Sequence, residues 1–81
     1  MLLEDIAVKC LVNSHLAKSN ADALTLLKNE FAKSYPTLSY ENWNKELPEA
    51  LAQNIITNVG KNGSMSVRFL IKDLETIATL V

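Results

Sequence analysis

Leu47-Pro48-Glu49-Ala50-Leu51-Ala52-Gln53-Asn54-Ile55-Ile56-Thr57-Asn58-Val59-Gly60 decides the fold. Its apolar residues Leu51, Ala52, Ile55, Ile56 and Val59 recur at one helical face, the cleanest stripe in the chain. Pro48 suits a first helical position, where its missing N–H costs nothing, and Glu49 favours the positive end of the helix dipole. Gly60 stands where a left-handed residue would close the helix. A helix over Pro48–Val59 follows. The chain around it has to bury that stripe with elements of the same kind.

Working outward, the C-terminal side repeats the pattern. Ser64 or Ser66 can cap a last helix, Ser66–Leu80, with the core set Val67, Leu70, Ile71, Leu74, Ile77, Ala78 and Val81. On the N-terminal side, Leu3, Ile6, Ala7, Cys10 and Leu11 mark a helix from Leu3 to about Leu16. Val8, Val12 and Leu16 widen its apolar surface beyond one stripe. The spacing is that of a central helix, or of one whose extra face meets a partner. Ser19 precedes Asp22 by three residues, the reciprocal arrangement that opens a helix. That helix, Asn20–Ser34, carries Ala23, Leu24, Leu27 and Phe31 inward and ends before Pro36, which pushes Tyr35 out of the α region. Thr37–Leu47 is the least periodic stretch. It reads as a loop with one turn near Tyr40–Lys45, capped by Ser39, with Tyr40, Trp43 and Leu47 as an aromatic-rich lid on the core. The expected fold is all-α: a small four-helix bundle, one domain over residues 1–81.

At 81 residues there is room for a single core, with a stability of about 4–12 kcal/mol. A formal net charge of −1 supplies no electrostatic footprint for nucleic acid or an acidic membrane. No apolar run approaches the roughly 18 residues of a membrane span. One cysteine cannot form an internal disulfide, and Glu4 and Asp5 break any apolar leader, so the expected compartment is the reducing cytoplasm.

The candidates for chemistry are few. Cys10 and His15 lie five residues apart, about 140° around a straight helix, so they do not form a nucleophile–base dyad. A zinc site needs about four ligands of this type, and the chain offers two. The carboxylates fall at helix starts or beside basic residues. Gly60-Lys61-Asn62-Gly63-Ser64 fails as a phosphate-binding loop, because Ile55 replaces the first glycine and Asn62 the residue after the lysine. A DNA-reading helix-turn-helix is also disfavoured: Arg68, Lys72, Asp73 and Glu75 make a mixed face, not a basic one. The chain is expected to be non-catalytic, with no cofactor and no metal, and to work through a protein partner or self-association. Val8, Val12 and Leu16 are the expected contact residues.

Leu47-Pro48-Glu49-Ala50-Leu51-Ala52, Ile55 and Ile56, the glycine turn, and Ser66-Val67-Arg68-Phe69-Leu70-Ile71-Lys72-Asp73-Leu74-Glu75 together resemble the C-terminal helical lid of AAA+ ATPases. The resemblance spans about the last 35 residues. It implies that Arg68 is the counterpart of the sensor 2 arginine, which reaches nucleotide phosphates across the cleft of the assembled ATPase. A guanidinium can place several donors on phosphate oxygens. Gly63 lies further ahead of Arg68 than the family's usual glycine, and the chain has no Walker A or Walker B segment. The resemblance therefore implies a lid cut out of a longer protein or a free-standing relative, without hydrolysis of its own.

Overall fold

A computed structural model describes residues 1–59 and 65–81. Among these are five helices: α1 Leu3–Asn13, α2 Asn20–Ser34, the single turn α3 Tyr40–Trp43, α4 Glu49–Val59 and α5 Val67–Leu80. The chain is all-α, with one isolated antiparallel bridge, Leu2 to Glu46, and no strand among the described residues. The expected roles of Gly60, Gly63 and Ser64 in the turn lie outside the described residues.

Helix α1 is the central element. It packs against α2, α4 and α5, and the stripe read from the sequence, Leu3, Ile6, Ala7, Cys10 and Leu11, is fully buried. Around it close Ala23, Leu27 and Phe31 of α2, Ala52 and Ile56 of α4, and Leu70, Ile71 and Leu74 of α5. The Cα radius of gyration of 11.6 Å matches the roughly 11.7 Å of a folded chain this long.

Helix α1 stops at Asn13 instead of reaching Leu16. His15 takes a left-handed conformation, φ 60°, and the chain closes with a full Schellman motif. The Leu16 N–H donates to the Leu11 carbonyl (3.0 Å), and the His15 N–H to the Val12 carbonyl (3.1 Å). Asn13, Ser14 and His15 are weak helix formers. The turn they make folds Ala17 back into the core, where it is buried. The price of that turn is a β-carbon at a position that favours glycine.

The N-terminus of α1 has no local cap. Leu2 holds the N-cap position and offers no side-chain acceptor. Two of the helix's free N–H groups are satisfied from the middle of the chain: Leu3 donates to the Lys45 carbonyl (3.0 Å) and Glu4 to Asn44 Oδ1 (2.8 Å). The Leu47 N–H returns a bond to the Met1 carbonyl (2.8 Å). The segment 44–47 therefore serves as a long-range N-terminal cap for α1.

The other helix starts follow the sequence closely. Ser19 Oγ accepts from the Asp22 N–H, while Asp22 Oδ2 accepts from Lys18, one residue earlier than a reciprocal box would use. Ser66 Oγ caps α5 through the Phe69 N–H. Pro48, expected as the first helical residue, sits one place before α4, which begins at Glu49, and its carbonyl accepts from the Ala52 N–H. Ser39 does not cap α3: its hydroxyl donates to Glu41 Oε2 instead. Val81, expected in the core, is 67% exposed because α5 ends at Leu80.

The aromatic lid forms around Phe31. Tyr35, Tyr40 and Trp43 lie 5.4, 5.4 and 5.6 Å from it between ring centroids, with Tyr40 edge-on. Tyr40 is half-buried, donates to Glu4 Oε2 (2.9 Å) and takes the Lys28 ammonium over its ring. Trp43 and Leu47 are buried. These contacts tie α2 and α3 to the first turn of α1.

Candidate partner-binding groove

Helices α4 and α5 both rest on the core formed around α1, but an open groove separates them. Only Ala52 and Ile56 of α4 are buried, so Ile55 and Val59 turn a half-exposed edge towards α5. Helix α5 answers with two faces. Leu70, Ile71 and Leu74 go into the core, whereas Phe69, about 100° around the helix from Leu70, is 64% exposed. Phe69, Asp73 and Ile77, at i, i+4 and i+8, line the α5 wall of the groove. Leu70 and Leu74 reach its floor, and the space is about 430 Å³. Among the described residues that line it, Asp73 and Asn58 are polar and the others apolar.

The exposed Phe69 ring stands beside partly uncovered Ile55, Val59, Met65 and Ile77.

The residues singled out from sequence are distributed as follows. Val8 and Val12 are half-buried and pack on the core. Val8 also lines a shallow depression with Leu24 and Lys9 between α1 and α2. Leu16 is 43% exposed, and it belongs to the turn after α1 and not to a helical face. Val8 and Val12 lie one turn apart on α1, and Leu16 lies beyond its end. Cys10 is fully buried, and desolvation pushes its thiol up to about 11 from 9.0, which makes it inert. His15 is exposed on the closing turn, so the two never meet. Arg68 is exposed on the first turn of α5, and no carboxylate lies within 4.0 Å of it among the described residues. Among the same residues no group of three or more His, Cys, Asp or Glu side chains could hold a metal ion. No helix is long and apolar enough to cross a membrane.

Tyr40 is the other perturbed group. Burial, then the hydrogen bond to Glu4, then the charges of Glu4 and Asp5 hold its phenol well above the usual tyrosine range. The shift follows from its place in the lid, against the Glu4 carboxylate of α1.

Comparison with protein-family models, curated proteins and solved structures returned no match.

Proposed function

We propose that the chain is a non-catalytic helical module that binds another protein, with the α4/α5 groove as its contact. The observation that carries this reading is the exposure of Phe69 at the mouth of an apolar groove. Leaving that ring in water forgoes a large part of the roughly 1.5–3 kcal/mol that burying it would contribute. A partner that fills the groove recovers this stabilisation, and the helix behind it stays anchored by Leu70, Ile71 and Leu74.

Site-specific photocrosslinking in living cells tests the proposal. A crosslinking residue replaces Phe69 in one strain and exposed Asn29 on α2 in another. A discrete adduct at position 69 that is absent at position 29 is the expected result. Identical patterns at the two positions refute it.

A second reading, the lid of a nucleotide-driven machine, draws its support from Arg68. Its guanidinium projects from the exposed first turn of α5 without a carboxylate partner among the described residues. In that reading the adduct at position 69 contains a chain bearing Walker A and Walker B segments.

A further inference from the structure

Among the described residues, the one charge lining the groove is Asp73, which stands between Phe69 and Ile77 along α5. It has no cation within 4.0 Å among the described residues. The basic residues of its own helix, Arg68 and Lys72, point about 140° and 100° away around the axis. A wholly apolar segment laid into the groove would strip water from this carboxylate and leave it uncompensated, an arrangement that strongly disfavours binding. A segment that brings an ammonium or guanidinium into register with Asp73 turns the same desolvation into recognition.

A symmetric α5 pair with a second copy of this chain does not meet that requirement. Phe69, Asp73, Thr76 and Leu80 share one exposed face at 4-3-4 spacing, so an antiparallel α5 pair would match Phe69 of each copy with Leu80 of the other. The same two-fold axis would bring the two Asp73 carboxylates within about one turn of each other. Like charges so placed oppose the pairing.

We infer that the groove takes an amphipathic helix from a different protein, with apolar residues at i, i+3 or i+4, and i+7 and one lysine or arginine placed against Asp73. This inference rests on the groove reading above and adds the chemistry of the partner. The wall from Phe69 to Ile77 runs about 12 Å, so two to three turns of partner helix suffice to span it. Asn58 on the α4 side offers its amide to the polar edge of the same helix.

The experiment is selection from a display library of helix-forming peptides randomised on one face. It uses the folded wild-type protein and the Asp73→Lys and Phe69→Ser variants, each checked for native circular dichroism. Wild type is expected to enrich apolar-faced peptides with one basic residue at a fixed position, and Asp73→Lys to enrich an acidic residue there. A wild-type-selected peptide should bind either variant at least about tenfold more weakly. Peptides that need Phe69 yet show no basic preference, or that bind Asp73→Lys equally well, overturn this inference and leave the groove reading standing. If no selected peptide depends on Phe69, the groove reading fails and the inference with it.

Discussion

Replacing Asn44 by alanine should destabilise a helix forty residues away in sequence. Asn44 Oδ1 accepts the Glu4 N–H at 2.8 Å, in the place a local serine or aspartate would hold at an ordinary N-cap. Loss of such an acceptor costs about 0.5–2 kcal/mol. The Glu4–Asn44 bond is partly buried, so water replaces the lost acceptor incompletely, and we predict about 1–1.5 kcal/mol for Asn44→Ala. Against a total of about 4–12 kcal/mol this is readily measured. Urea unfolding followed by far-UV circular dichroism gives the difference as a shift of the midpoint at constant slope. Two comparisons isolate the cause. Asn42→Ala, in the same segment but exposed, should change stability by no more than about 0.5 kcal/mol. Tyr40→Phe removes the hydroxyl bonded to Glu4 Oε2, and because both bonds fix the same turn, its effect and that of Asn44→Ala should be non-additive. An Asn44→Ala variant as stable as Asn42→Ala would refute this long-range capping.

Three further outcomes are expected. His15→Gly should stabilise the fold by about 0.5–1 kcal/mol by relieving the left-handed strain, and His15→Ala should not; thermal unfolding of the pair decides. Trp43 Nε1 is buried without a hydrogen-bond partner among the described residues, so Trp43→Phe loses only ring packing, about 1 kcal/mol. Trp43→Ala opens a cavity under the aromatic lid and should cost about 3–5 kcal/mol in urea unfolding. The Cys10 thiol is held neutral by burial, with its pKa raised from 9.0 to about 11. The folded state therefore keeps a proton that the unfolded state releases, so stability present below pH 9 falls as pH rises towards 11, and alkylation at pH 8 should proceed only at the rate of unfolding.

The parts of the fold that depend on short-range periodicity are readable in the chain. The α1 stripe, the Ser19 and Ser66 caps and the break before Pro36 all express local rules, and each holds. Contacts formed across the sequence are not readable this way. Nothing near Leu2 signals that Asn44 will cap α1. The turn at His15 is likewise hidden, because it is set by the need to return Ala17 to the core and a histidine carries no left-handed signal of glycine's strength. The groove lies between these cases. Phe69 is visibly off the stripe of Val67, Leu70, Ile71 and Leu74, which is a usable signal. The half-exposed edge of α4 depends on how Ala52 and Ile56 seat against α1, and the pattern of Leu51, Ile55 and Val59 gives no hint of it. For the same reason Val8 and Val12 read as a spare apolar face although the core partly covers them.

The account turns on α5 having one face that builds the domain and another that the domain can spare. The stability of Phe69→Ser against Leu70→Ser tests this most directly, since the propensity cost of serine, at most about 0.7 kcal/mol at either site, is small beside the difference in burial. Phe69 is 64% exposed and Leu70 2%. We predict a loss of at most about 1 kcal/mol for Phe69→Ser and about 3–5 kcal/mol for Leu70→Ser in urea unfolding. Equal losses would mean that Phe69 is part of the core in solution, and that no open groove exists for a partner to fill.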